Sequence, residues 1–169
     1  MAAKDVNDPV IIRAARAEDV AQIAALIAPF VAHGKLLVRT YDELGELLPN
    51  FFVAVQHNPE GEDVILGCAA LEIYSPKLAE VRSLAVSEKA QGMGIGKRLV
   101  NACIERARIN HVFEVMAITS SDAFFQQLGF DYTLPGEKRA LFITTRESAD
   151  APAGPDTSAR SPQVRLRDA

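Results

Sequence analysis

The hydrophobic pattern of this chain changes from strand spacing to helix spacing across seven residues, Gln91-Gly92-Met93-Gly94-Ile95-Gly96-Lys97. That junction limits the fold more than any other feature. Before it, Ala79 to Val86 reads as a strand. After it, Leu99, Val100, Cys103, Ile104 and Ala107 recur at three-and-four spacing, the buried stripe of a helix from Ile95 to about Ile109. Glycines at such a junction let the backbone approach a ligand closely, because no Cβ intervenes. The start of the helix offers unpaired N–H groups and the positive end of its dipole to an anion. The segment is therefore a candidate site for a phosphate-bearing ligand; the competing reading is a glycine-rich turn with only a packing role. Lys97 and Arg98 either add charge to such a site or are solvated helix residues.

The ligand class narrows by elimination. A Walker-type loop ending at Gly96-Lys97 requires glycine at 91 and Ser or Thr at 98, where this chain has Gln91 and Arg98. A dinucleotide fingerprint starting at Gly92 requires a third glycine at 97, where the chain has Lys97.

Around the junction the pattern alternates between strands and helices. Val10 to Ala14 reads as a first strand, followed by a helix marked by Val20, Ile23, Ala24, Ile27 and Val31. Glu18 and Asp19 in its first turn suit the dipole, Pro29 disturbs its last turn and Gly34 ends it. The loop Lys35 to Arg39 leads to a short helix, Tyr41 to Leu48, with Thr40 as N-cap. Phe51 to Gln56 and Val64 to Tyr74 form a hairpin across Asn58-Pro59-Glu60-Gly61, and Ser75-Pro76 turns the chain into the strand before the glycines. Val112 to Thr119 is a strand, Asp122 to Leu128 a helix closed by Gly129, and Asp131 to Thr145 is expected to add strands. The fold class is α/β: a mixed, mostly antiparallel central sheet flanked by helices. Residues 1–9 read as a flexible N-terminus, 10–146 as one domain, and 147–169, rich in Ser, Ala, Pro, Asp and Arg, as a disordered tail.

Several function classes fall away. Hydrophobic residues make up 49% and charged residues 24%, the balance of a globular domain able to form its own core. The apolar run Val20 to Val31 is too short and too interrupted to span a bilayer, and Met1 to Pro9 lacks a signal-peptide pattern, so no membrane partner and a cytoplasmic location are expected. Net charge is −4, without a dense basic block in the folded part, which argues against nucleic acid. Cys68 and Cys103 lie in apolar stretches and read as buried free thiols. His33, His57 and His111 make no metal-ligand spacing with them, so no metal is expected. Self-association as a homodimer is left open.

The sequence Gln91-Gly92-Met93-Gly94-Ile95-Gly96 resembles the central signature Gln/Arg-x-x-Gly-x-Gly/Ala of the GNAT superfamily of N-acetyltransferases. Leu84-Ala85-Val86 is similar to that family's preceding strand, and Phe124-Phe125-Gln126-Gln127-Leu128-Gly129-Phe130 to its late helix. The resemblance implies a sheet whose fourth and fifth strands splay apart to admit acetyl-CoA. It implies that Leu84, Ala85 and Val86 pair with the pantetheine arm, and that Gln91, Gly92, Met93, Gly94, Ile95, Gly96 and Lys97 hold the pyrophosphate.

Transfer of acetyl to an amine needs the amine unprotonated, a path for its proton and a polarised thioester carbonyl. Strand alternation predicts Glu80, Arg82 and Leu84 on one face. Glu80 occupies the place where several superfamily members carry a general-base glutamate, and Glu72 on the neighbouring strand is a reserve candidate. The bland reading of Glu80 is an exposed edge carboxylate paired with Arg82 or Lys77. Where many relatives place a proton-donating tyrosine, this chain has Phe125, which leaves water, Ser120, Ser121 or the departing thiolate itself to serve.

Lys35, Arg39 and Arg82 are candidate acceptor-binding cations, since arginine takes a carboxylate in a bidentate fork; Lys35 and Arg39 read equally as surface residues. Gly34-Lys35-Leu36-Leu37-Val38-Arg39-Thr40 resembles the "LL-x-R" loop of N-acetylglutamate synthases, including short forms without an amino-acid-kinase domain. Phe51-Phe52-Val53-Ala54, Gly67-Cys68-Ala69-Ala70-Leu71 and Ala79 to Val86 are similar to the same group. That resemblance implies L-glutamate as the acceptor, its carboxylates held by Arg39 with Lys35 in support, at the entry to arginine synthesis. A different amine, or an acyl-CoA sensor without turnover, are the alternatives. Lys138 and Arg139 lie in a segment shorter than its counterpart in that group.

Overall fold

The computed structural model describes residues 10–59 and 61–132. In chain order these form β1 (Val10–Ala14), α1 (Val20–Ala32), α2 (Tyr41–Leu47), β2 (Phe51–Gln56), β3 (Val64–Ser75), β4 (Leu78–Val86), α3 (Ile95–Ile109), β5 (Glu114–Met116) and α4 (Asp122–Gln126). The strands join in one sheet in sequence order. β1 to β4 are mutually antiparallel, and β5 lies parallel to β4 after the crossover through α3. The mixed, mostly antiparallel sheet expected from the sequence is thus present. The last strand and the last helix are shorter than their apolar patterns predict. The expectations for 1–9, for most of Asp131 to Thr145, for Lys138 and Arg139, and for 147–169 lie outside the described residues.

Helices cover both faces of the sheet. On one face Ile95, Leu99, Val100, Cys103 and Ala107 of α3 pack with Ala69, Leu71, Ala79, Val81 and Phe125. On the other, Ile23, Ile27 and Leu44 from α1 and α2 pack with Phe51, Val53, Val55, Cys68, Ala70 and Ala85. Each fully buried aliphatic side chain contributes roughly 2 kcal/mol of burial. Gly67 sets how closely α3 sits: a Cβ there would come within 3.0 Å of Ile95 and Leu99 side-chain carbons. No helix among the described residues is long and apolar enough to cross a membrane.

Two local devices hold the chain segments beside the site. Thr40 caps α2, accepting from the Glu43 amide at 3.2 Å while its own amide donates to the Glu43 carboxylate at 2.7 Å. Asp19 does more than suit the helix dipole. It is buried, takes two hydrogen bonds from the Arg13 guanidinium at 2.6 and 2.9 Å, and accepts from the Arg16 amide at 2.7 Å. Burial pushes its acidity weaker, but the Arg13 hydrogen bonds and charge and the Arg16 amide outweigh this and hold its pKa below the ordinary carboxylate value.

The opening in the sheet comes from where pairing stops. β5 pairs with β4 only at Leu78, Ala79 and Glu80, opposite Glu114, Val115 and Met116. Beyond Glu80 the two strands diverge, leaving the β5-facing edge of β4 without a strand among the described residues. This is the expected splay of the fourth and fifth strands.

Candidate active site

Strand alternation fails within β4, and the failure shapes the site. Cys68 pairs with Ala85 and Ala70 with Arg82, so Ser83 and Leu84 together face Ala69 in a β-bulge. Ser83 carries the strain, with φ of +52° in the left-handed region. Its carbonyl accepts from the Cys68 thiol at 3.4 Å. The expectation that Glu80, Arg82 and Leu84 share one face is therefore corrected. Glu80 and Arg82 face the side of α1 and α2, whereas Leu84 and Val86 turn to the α3 side and pack there. The extra residue resets the period of two, and the Gly-free stretch Val81 to Val86 contains no turn signal that betrays it.

Between the diverging strands lies an open cleft of about 920 Å³. Glu80 to Leu84, Val86, Gln91 and Gly96 line one side, and Ile118 to Ser121 with Phe124 and Phe125 line the other. Lys35, Leu36, Leu37 and Arg39, from the loop between α1 and α2, close one end. The cleft thus gathers residues that the sequence places far apart: Glu80, Arg82, Lys35 and Arg39, with Leu84, Val86, Gln91 and Gly96. Ala85 is buried in the core on the α1 and α2 side, and Gly92, Met93, Gly94, Ile95 and Lys97 do not line the cleft. Ile95 turns its side chain into the core, while Met93 is half exposed.

The glycine turn has two kinds of glycine. Gly92 and Gly94 have φ of +80° and +72°, with nothing within 4 Å of a built Cβ, so glycine serves the backbone conformation there and the outer side stays open. Gly96 serves packing: a Cβ would lie 3.3 Å from the Phe124 ring. Among the described residues, the amides of Gly92, Gly94, Ile95, Gly96 and Lys97 have no backbone acceptor, and the fifteen-residue α3 directs its positive end at the same place. These features fit a phosphate-bearing ligand. The Arg98 guanidinium is directed toward β1, where it donates to the Val10 carbonyl at 2.8 Å. Gln91 reaches back to the Val86 carbonyl at 3.4 Å.

Glu80 is not the exposed edge carboxylate of the bland reading. It is 8% exposed, accepts a hydrogen bond from the Tyr74 hydroxyl and lies 3.8 Å from the Arg82 Nε. Arg82 donates to Glu72, the residue directly opposite Glu80 on β3. Burial lowers the Arg82 pKa, but Glu72 and the other negative groups raise it more, and the net shift is upward. Tyr74 is half exposed as a residue, yet desolvation of its hydroxyl, followed by the hydrogen bond to Glu80 and that group's charge, pushes its pKa up to about 12. The sequence reading missed Tyr74. Its only signal was its place two residues after Glu72 on the same strand face. Arg39 and Lys35 make no ion pair among the described residues, unlike Arg82. Phe125 is buried against Phe124 and Phe130 in edge-to-face contacts, while Ser120 and Ser121 border the cleft.

Comparison with known proteins agrees with this architecture. The chain is 33% identical over 119 residues to an uncharacterized N-acetyltransferase of Chlorobaculum tepidum, covering 70% of this chain and 74% of that one. It is 31% identical over 121 residues to the amino-acid acetyltransferase of Mycobacterium tuberculosis, covering 71% and 67%. Its fold matches the N-acetylglutamate synthase of Neisseria gonorrhoeae, solved with coenzyme A and N-acetyl-glutamate, with a TM-score of 0.63 at 31% identity. That match covers 72% of this chain but 28% of the much longer synthase. Residues 18–130 match the acetyltransferase (GNAT) family, and with this sheet, this glycine turn and this cleft the chain belongs to that family.

Proposed function

We propose that this chain transfers an acetyl group from acetyl-CoA to the amine of an amino acid, with L-glutamate as the acceptor. The observation that carries this reading is the meeting, in one cleft, of the buried Glu80 carboxylate with Arg39 and Lys35, two cations unpaired among the described residues. A carboxylate near the reacting end suits proton removal, and free cations beside it suit an acceptor that carries carboxylates. The amino-acid acetyltransferase and N-acetylglutamate synthase relatives support the same acceptor class.

When bound, acetyl-CoA supplies the acetyl group as a thioester. In this reading the open edge of β4 from Leu84 to Val86 pairs with the pantetheine arm, and the free amides from Gly92 to Lys97 hold the pyrophosphate. Arg39, supported by Lys35, orients the acceptor by its carboxylates. Glu80, directly or through a water, takes the proton from the amine as nitrogen attacks the carbonyl carbon. The N–C bond forms, the C–S bond breaks with its electrons on sulfur, and the sulfur acquires a proton. Phe125 has none to give, so that proton comes from water or from Ser120 or Ser121 at the cleft wall. Arg82, already engaged by Glu72 and Glu80, supports the carboxylates more than the acceptor.

The test is CoA thiol release from purified protein at fixed acetyl-CoA, across free amino acids and polyamines. Saturable turnover with L-glutamate is expected, and Arg39→Ala is expected to raise its KM about tenfold or more with little change for acetyl-CoA. Turnover only with other amines removes glutamate as the acceptor. Acetyl-CoA binding without turnover on any amine removes the enzyme reading.

A further inference from the structure

We propose that Tyr74 is a positioning residue for Glu80, its hydroxyl fixing one carboxylate oxygen so that the other faces the cleft in proton-accepting form. The inference rests on the reading of Glu80 as the base and adds the group that prepares it. Glu72 and Glu80 are directly opposed across β3 and β4, and Tyr74 follows Glu72 by two residues on the same face. The register slips at Tyr74 itself: Ile73 pairs with Ala79 and Ser75 with Leu78, leaving Tyr74 as the extra residue of a bulge. From there its hydroxyl meets Glu80.

Glu80 lines the cleft and Tyr74 does not, so any effect of Tyr74 on the reaction passes through Glu80. The hydroxyl's hydrogen bond restricts rotation of the carboxyl group, whose other charged neighbour among the described residues of its strand is Arg82 at 3.8 Å. With its own pKa pushed to about 12, the hydroxyl keeps its proton and remains a donor at any ordinary working pH. The charged groups facing Glu80 among the described residues are Glu72 from β3, Arg82 from β4 and, across the cleft mouth, Lys35 and Arg39. None of them replaces the neutral donor that Tyr74 supplies. The segment Ile118 to Ser121 after β5 brings no titratable side chain.

Tyr74→Phe deletes the hydroxyl and keeps the ring. The expected result is a fall in kcat of about tenfold, with KM for acetyl-CoA unchanged. In a Glu80→Gln background, Tyr74→Phe is expected to cost nothing further, because the carboxylate it positions is already gone. An unchanged kcat in Tyr74→Phe, or a full additional loss in the double variant, overturns the inference. If Glu80→Gln alone keeps full turnover, the base reading itself falls. If Glu80→Gln is impaired and Tyr74→Phe keeps the wild-type kcat, only the role of Tyr74 falls.

Discussion

Glu72 and Glu80 stand directly opposite each other on one face of β3 and β4, and Arg82 bridges them, donating to the first and lying 3.8 Å from the second. Like charges directly opposed across strands destabilise a sheet. Replacing Arg82 with Met removes the bridge and leaves the two carboxylates opposed without a cation between them. We expect a lower Tm, with the deficit largest at low ionic strength and reduced by added salt, which screens the repulsion. Thermal melts at low and high salt check it, and an equal deficit at both would remove the charge argument.

Asp19 offers the complementary case. Its folded pKa is lowered, so its pairing with Arg13 contributes fully above the ordinary carboxylate value near ~4 and is lost as pH falls through the lowered folded value. Asp19→Asn is expected to cost on the order of 2 kcal/mol at neutral pH and to flatten the acid side of the stability profile. Denaturant unfolding across the acid range measures both.

The two cysteine thiols are pushed to about 12 by burial, Cys68 completely enclosed and Cys103 beneath α3. Neither forms appreciable thiolate near neutrality. A thiol reagent is expected to react with neither in the native protein and with both after denaturation. Cys68→Ala, which removes the bond to the Ser83 carbonyl, is expected to destabilise the bulge by about 1–2 kcal/mol and to loosen Ser83 in amide exchange.

Alanine substitution separates the glycines. At Gly94, φ of +72° makes alanine cost about 1 kcal/mol or more, with weaker acetyl-CoA binding. At Gly45, inside α2 with nothing within 4 Å of a built Cβ, alanine is expected to stabilise by about 0.5–1 kcal/mol and leave binding unchanged. Paired melts and acetyl-CoA titrations compare the two; equal stability effects would contradict the backbone account.

Much of this molecule was legible in its residues. The period change at Gln91 to Lys97 marked the glycine turn, Thr40 marked the start of α2, and the alternating runs located β1 to β4 within a residue. Local propensity and periodicity act over a few residues, so a linear reading can find them. The unequal lengths of the late elements could not be read, because β5 ends where Glu80 and Met116 stop pairing and not where the apolar run stops.

Sequence alone determined the elements, the glycine turn and the candidacy of Glu80, Lys35 and Arg39. Only the tertiary structure decided which way their neighbours point. The bulge at Ser83 turned Leu84 away from Glu80, the register across β3 and β4 set Arg82 between two carboxylates, and the slip at Tyr74 supplied Glu80 with a donor. Side-chain direction in a sheet depends on register, and one inserted residue reverses it for everything beyond. Pairing between distant strands sets that register, and no local stretch of the chain encodes it.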